Sequence, residues 1–152
     1  MNSFSFIIPG KPQGKGRPRF AGGHVFTPQA THDYERLVAA CARRALSDRE
    51  AEGAKPWRLE GSKRVDIRAW KATPKSWSKK ERQEYHMKPC QRKPDNDNIE
   101  KIVWDGLNGI AYEDDSQITK NGTEKVWRSD LGDTEYPCGY VEVWVFDLES
   151  GK

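Results

Sequence analysis

Alternating apolar and polar positions mark two segments of the chain, residues 65–70 and 140–146. In the second segment three valines fall on one face, as expected for a half-buried β-strand. A short apolar run at residues 5–8, ended by a proline and a glycine, predicts a third strand.

Two further segments, residues 117–119 and 124–128, are extended in pattern and flank Asn121-Gly122. Asn-Gly is a strong signal for a tight turn between paired strands, because both residues tolerate positive φ. The sequence therefore predicts a hairpin whose turn is Asn121-Gly122.

Helical spacing begins after Thr27-Pro28, which is a helix-start signal with the Thr27 hydroxyl as N-cap and proline at the first position. The apolar stripe that follows contains Tyr34, Leu37, Val38, Cys41, Ala42 and Ala45. This spacing predicts an amphipathic helix, with a polar loop over residues 47–62.

A second main helix is predicted to begin at Asn98, because Asp97 and Glu100 have the spacing of a capping box. Its apolar positions predict one buried stripe, and Gly109 is a plausible terminator. The stripe consists of Ile99, Ile102, Val103, Leu107 and Ile110.

The segment 74–91 is charged, has little apolar character and contains a short helix that Ser78 is expected to cap. It is interpreted as a surface insertion. The order of elements predicts an α/β (α+β) fold in which residues 1–152 form one domain, with a small mixed β-sheet packed by two main helices.

Composition places the chain among globular proteins. Its 152 residues include 35% hydrophobic residues and six tryptophans, enough to bury a core. No apolar run is long enough for a membrane span, and the first residues lack a secretory pattern, so no membrane partner is expected. Three scattered cysteines argue against a disulfide framework and favour a reducing, cytoplasmic location.

The charges are unevenly distributed, although the net charge is only +3. Residues 1–92 carry 20 Lys and Arg against 9 Asp and Glu, whereas residues 93–152 carry 6 against 14. A basic part joined to an acidic part is typical of a polyanion-binding surface around a metal-binding centre. Two oppositely charged, solvated regions are the alternative.

The acidic residues Asp95, Asp97, Asp114 and Asp115 flank the second main helix in two pairs. Crowded carboxylates repel one another unless a cation bridges them, and Mg²⁺ prefers a few carboxylate oxygens with water and phosphate. The pattern therefore predicts a magnesium site. Lys101 lies one helical turn after Asp97, where it would offset charge at a phosphate.

The acidic residues have two other interpretations, a calcium-binding loop and a structural role. A calcium-binding loop fails because Ile99 and Glu100 occupy positions that require a ligand and a glycine. A structural role stays open, since Asp97 is a good helix cap and Lys101 has Asp97 and Asp105 at ion-pair spacing.

The amino-terminal loop, residues 10–20, is rich in glycine, proline and cations. It lacks the spacing and the Ser or Thr of a nucleotide-binding P-loop, so no nucleotide cofactor is expected. It is interpreted as a flexible basic arm for nucleic-acid phosphates, with a solvated basic loop as the alternative. Its cations are Lys11, Lys15, Arg17 and Arg19.

The motif Lys-Pro-Asp-Asn-Asp-Asn-Ile-Glu-Lys at residues 93–101, followed by Tyr-Glu-Asp-Asp-Ser-Gln-Ile at 112–118, resembles the signature of the RusA family of Holliday-junction resolvases. The family pattern is D-x-D-N-x-x-K, then a helix with an aspartate, then an aromatic residue and D-D-x-Q-[VI]. The segment 10–20 is also similar to the start of many phage-type members. Because the order of elements agrees as well, the resemblance covers residues 4–147.

The resemblance implies a homodimeric, Mg²⁺-dependent endonuclease, with Mn²⁺ as a substitute ion, that makes paired nicks in a four-way DNA junction. It implies that Asp95, Asp97 and Asp115 bind metal, with Asp114 as an adjacent candidate ligand, and that Lys101 assists catalysis. Two other functions stay open from the residues alone: a non-catalytic DNA-binding protein whose acids are structural, and a magnesium enzyme acting on nucleotides.

Overall fold

A computed structural model describes residues 2–148. In these residues six strands and three α-helices follow one another, with two short 3₁₀ turns at Asp115–Gln117 and Leu131–Asp133. The elements are β1 Asn2–Pro9, β2 Arg19–Ala21, β3 His24–Phe26, α1 Gln29–Ala51, β4 Lys63–Ala72, α2 Lys79–Tyr85, α3 Asn96–Leu107, β5 Ile118–Arg128 and β6 Gly139–Asp147.

The main sheet has four strands in the order β1-β6-β4-β5. β6 is antiparallel to both β1 and β4, whereas β5 is parallel to β4. At the centre of the sheet, Ile67 of β4 lies opposite Val143 of β6 and Thr123 of β5. The predicted mixed sheet is therefore confirmed.

The core lies between one face of this sheet and the two long helices, α1 and α3. Alternate residues of β1, β4 and β6 face the helices, as the period of a strand requires. Their main side chains are Phe4, Phe6, Ile8, Val65, Ile67, Ala69, Val141, Val143 and Val145, packed with Tyr34, Val38, Ala42, Ile99, Ile102, Val103 and Leu107 of the helices. The predicted α+β class with two main helices is thus confirmed.

The helix α1 carries the predicted apolar stripe, but both of its ends differ from the prediction. Pro28, not Thr27, is the N-cap residue, and no side chain caps this end. Thr27 therefore lies one residue too early for its hydroxyl to cap the helix. The helix also continues to Ala51, beyond the predicted start of a loop at residue 47, because its last turns are stabilised by helical hydrogen bonds despite their polarity.

The helix α3 begins at Asn96, two residues earlier than predicted, with Asp95 as the N-cap residue. The predicted capping box of Asp97 with Glu100 is therefore wrong. Asp97 lies inside the first turn, and Glu100 instead accepts hydrogen bonds from Asn121 and Thr123 of β5. The end of the helix matches the prediction, since Gly109 has a φ of +80° just after the C-cap.

The predicted hairpin at Asn121-Gly122 is wrong, because both residues lie within the single strand β5. They pair with Val65 and Asp66 of β4 in a parallel ladder that runs along the whole strand. Pairing with a long buried neighbour outweighs the local turn preference. A hairpin occurs instead between β2 and β3, where Gly22 and Gly23 both have positive φ.

The charged segment after β4 forms the short helix α2, in which no residue is buried. Ser78 accepts a hydrogen bond from the Glu81 amide, as predicted. No helix in the described part of the chain is long and apolar enough to cross a membrane.

Candidate acidic site at the start of helix α3

The helix α3 is held rigidly because four of its side chains, Ile99, Ile102, Val103 and Leu107, are fully buried. The opposite side of its first two turns carries Asp97 and Lys101, which are exposed. A fixed backbone therefore presents a carboxylate and an ammonium group to solvent one helical turn apart.

The side chain of Asp97 makes no hydrogen bond or ion pair with any other residue between 2 and 148. It lies in the first turn of α3, where the free amide groups of the helix favour a negative charge. Both oxygens of this carboxylate are thus available to a ligand.

Asp95, the N-cap residue, instead forms an ion pair with Lys93. The Lys93 ammonium lies 2.8 Å from its Oδ2 atom. This hydrogen bond, supported by the charges of Lys93 and Lys125, holds the pKa of Asp95 below its ordinary value. The carboxylate is therefore ionised at neutral pH and available when Lys93 moves.

Lys101 connects the helix to the loop that follows it, residues 112–117, here called the acidic loop. Its Nζ atom lies 3.7 Å from Asp105 Oδ1, one turn along α3, and 3.6 Å from Asp115 Oδ2 in the first 3₁₀ turn. Asp105 and Asp115, from the helix and from the loop after it, thus meet around one ammonium group. Of the two ion pairs that the structural alternative offered for Lys101, the structure therefore shows the pair with Asp105 and not the pair with Asp97.

The two neighbouring acids of this loop differ in what they contact. Asp114 caps the 3₁₀ turn by accepting a hydrogen bond from the Ser116 amide at 2.9 Å, and hydrogen bonding from the Ser116 side chain and amide lowers the pKa of Asp114. Asp115 is half-buried and faces Lys101. Asp114 therefore shapes the loop, whereas Asp115 points its carboxylate toward α3.

Gln117 fixes the acidic loop in position. Its Oε1 atom accepts hydrogen bonds from the amides of Glu113 and Asp114, and its Nε2 atom donates to the carbonyls of Leu59 and Gly61. Tyr112 adds a second anchor, because its ring is buried and its hydroxyl donates to the Trp104 carbonyl at 2.7 Å. These contacts were not predicted, since they depend on residues distant in sequence.

The amino-terminal loop lies against the start of α3 and is not a free arm. The Lys15 amide donates to the Asn98 carbonyl at 3.0 Å, and Pro12 is buried. A Cβ atom at Gly14 would lie only 2.9 Å from the Pro94 side chain, so this close approach requires glycine.

Lys15 is bound between α1 and α3. Its Nζ atom lies 2.6 Å from Glu35 and 2.9 Å from Asp105. Burial lowers the pKa of Lys15, but the hydrogen bonds to these two carboxylates outweigh it, and the net shift is upward. Nothing in the spacing of the sequence links Glu35 to Lys15. By contrast, Lys11, Arg17 and Arg19 are exposed.

The carboxylates fit a lightly coordinated magnesium ion better than an all-protein cage. Within residues 2–148, no three Asp, Glu, His or Cys side chains are close enough together to hold a metal ion. Mg²⁺, however, binds proteins through one or two carboxylates and takes its remaining ligands from water and phosphate. The unpaired Asp97, with Asp115 beyond Lys101, supplies oxygen donors of that kind.

Comparison with known proteins gives two matches. The family described as "Endodeoxyribonuclease RusA" matches residues 9–135, a span that contains β1's last residue, both long helices and the acidic site. A protein of Bacillus subtilis (strain 168), "Uncharacterized protein YqaN", is 32% identical over 126 residues, covering 78% of this chain and 83% of that protein.

Proposed function

The chain belongs to the RusA family of endodeoxyribonucleases, and on that premise we propose that it resolves four-way DNA junctions by paired symmetric nicks in a magnesium-dependent reaction. Family membership makes it a DNA-hydrolysing enzyme with Holliday-junction endonuclease activity. The observation that most supports the finer proposal is the meeting of α3 and the acidic loop at Lys101, beside the unpaired Asp97.

We propose that Asp95, Asp97 and Asp115 hold the metal ion, for which the three carboxylates must move closer together than they lie in the described structure. When bound, Mg²⁺ would supply a hydroxide-like water and neutralise charge on the departing oxygen. Asp97 already has both oxygens available, whereas Asp95 and Asp115 must exchange their contacts with Lys93 and Lys101. Asp114 keeps its cap on the 3₁₀ turn and is the weaker candidate ligand.

Lys101 has the electrostatic role in this proposal. Its ammonium group balances Asp105 and Asp115 in the free protein. A phosphodiester that enters beside Asp97 brings negative charge to the same place, and Lys101 donates hydrogen bonds to its oxygens. Because the charge on these oxygens grows in the transition state, this interaction accelerates the reaction.

The basic residues of the amino-terminal loop are proposed to contact DNA phosphates. Lys11, Arg17 and Arg19 are exposed and lead into the β2–β3 hairpin. Lys15, bound by Glu35 and Asp105, acts as a positioning residue that fixes this loop on the two helices.

A homodimer is the proposed functional assembly, because paired nicks in opposing strands need two sites. A labelled four-way junction incubated with Mg²⁺, Mn²⁺ or EDTA tests the proposal. We expect nicks at symmetry-related positions in two strands with either metal and none with EDTA, together with a mass in sedimentation of twice the 17.4 kDa chain. Binding without metal-dependent cleavage would support the non-catalytic alternative instead.

A further inference from the structure

Residues 86–92, here called the strap, run antiparallel along the outer edge of β5. The Met87 amide donates to the Trp127 carbonyl at 2.8 Å, and the Trp127 amide donates to the Lys88 carbonyl at 3.0 Å. The Cys90 amide donates to the Lys125 carbonyl, also at 3.0 Å. The ring of Trp77, before α2, packs against Trp127 with a centroid distance of 5.1 Å. The segment 74–91 is therefore docked on the sheet and leads directly into the acidic site.

Lys71, Arg92 and Lys125 meet where the strap reaches α3, and Lys11 acts electrostatically on Lys71; we call these four cations the basic cluster. Lys71 donates to the Lys93 carbonyl, and Lys125 donates to the Arg92 carbonyl at 2.7 Å. Each of these ammonium groups has three N–H donors, so further donors remain for a ligand.

The guanidinium group of Arg92 is oriented by aromatic rings. Its central carbon lies 5.3 Å from the Trp77 ring centroid and 5.6 Å from that of Trp127. An arginine stacked on aromatic faces keeps the N–H groups at its edge for hydrogen bonding, and its planar shape suits phosphate. The aromatic residues of the segment 74–91 thus give Arg92 a defined direction.

None of the four members of the basic cluster makes an ion pair within residues 2–148, although Lys125 acts electrostatically on Asp95. Burial lowers the pKa of Lys71, and repulsion from Lys11, Lys125 and Arg92 lowers it further. Like charges held this close lower stability and raise the local attraction for an anion.

We propose that the basic cluster binds backbone phosphates of the DNA strand next to the scissile phosphate. The inference rests on the proposed function, because it takes DNA as the ligand. Lys125 acts electrostatically on Asp95, so the cluster adjoins the proposed metal site. Its members come from the loop after β1, from β4, from β5 and from the strap, and this spread suits consecutive phosphates better than one small anion. Such contacts position a strand without reading its sequence.

The test measures binding of the full chain to a four-way junction in EDTA, where no cleavage occurs, as a function of salt. Each lost phosphate contact reduces the slope of log K against log salt by about 0.9, so Lys71→Gln with Lys125→Gln should reduce it by about 1.8. The double variant Lys71→Arg with Lys125→Arg keeps both charges and should keep the slope. The matched control is Arg44→Gln with Lys55→Gln, which removes the same charge at exposed positions of α1 and of the loop after it. This control should leave the slope near that of the wild type.

Two outcomes overturn the inference: a slope equal to that of the wild type, or an equal reduction in the Arg44 and Lys55 control. A lower melting temperature with an unchanged slope would also overturn it, because the lysines would then only fasten the strap. The proposed reaction is judged separately by wild-type cleavage with Mg²⁺. If the wild type does not cleave and the Lys71→Gln, Lys125→Gln variant has a reduced slope, the proposed reaction is refuted, whereas phosphate binding by the basic cluster is supported.

Discussion

Helix α3 packs tightly against α1 at Gly106, and replacing this residue with alanine should destabilise the protein. A Cβ atom there would lie 2.8 Å from Val38 Cβ, 2.9 Å from Val38 Cγ1 and 3.1 Å from the Glu35 carbonyl oxygen. These atoms belong to a helix backbone or lie next to it, so no rotation of a flexible side chain relieves the contact. The two helices must separate, and their separation also strains the Lys15 bridge between Glu35 and Asp105.

The expected loss follows from two opposing effects. Overpacking a close contact costs about 1–3 kcal/mol, and the rigid neighbours of Gly106 favour the upper end. Alanine recovers up to about 1 kcal/mol through its better helix propensity. The net loss in the free energy of unfolding is about 2 kcal/mol, which lowers the melting temperature by about 4–8 °C for a domain of this size.

Urea unfolding followed by circular dichroism measures this loss, with Gly132→Ala as the matched control. A Cβ atom at Gly132 would meet nothing within 4 Å, so this control should be close to neutral. Val38→Ala should not rescue Gly106→Ala, because alanine keeps the Cβ atom that makes the closest contact. A Gly106→Ala protein as stable as Gly132→Ala, or a double variant more stable than Gly106→Ala alone, would refute the reasoning.

Three further substitutions test local features. Lys93→Met should raise the pKa of Asp95 toward its ordinary value, seen in a carboxyl NMR titration, because the hydrogen bond that lowers it is lost; an unchanged pKa contradicts this. Gly122→Ala should change the free energy of unfolding by less than about 0.5 kcal/mol, whereas a large loss would indicate a turn. Asp147→Ala should lower the free energy of unfolding in urea by about 3 kcal/mol, because the buried Lys63 loses the carboxylate 3.4 Å from its Nζ atom and keeps as hydrogen-bond partners the carbonyls of Arg58 and Glu60; an unchanged free energy of unfolding would contradict this.

Periodicity predicted the elements whose burial is one-sided. Two patterns were sufficient to predict a helix and a strand: the stripe at Tyr34, Val38 and Ala42, and the alternation of Val141 and Val143. Each pattern repeats the geometry of its element several times. The hairpin prediction failed because Asn121-Gly122 is a local signal, and β4 offered this segment a continuous partner that local sequence does not reveal.

The components of the acidic site were predictable, but their contacts were not. The four aspartates and Lys101 stand out by type and spacing, and the structure brings Lys101 to Asp115. The division of roles between Asp114 and Asp115 depends on the hydrogen bond to Ser116, and the partner of Lys15 depends on how α1 crosses α3. Such contacts arise only from tertiary packing.

Junction cleavage by Asp97→Asn in Mg²⁺ tests the central claim most directly, with Asp48→Asn, an exposed acid on α1, as the control. Loss of a contact that merely supports a metal ligand costs 10–100-fold, so loss of a ligand oxygen should slow cleavage by at least about 100-fold. We expect this loss for Asp97→Asn, wild-type cleavage for Asp48→Asn, and retained junction binding in EDTA for both. Cleavage by Asp97→Asn at the wild-type rate would contradict this expectation.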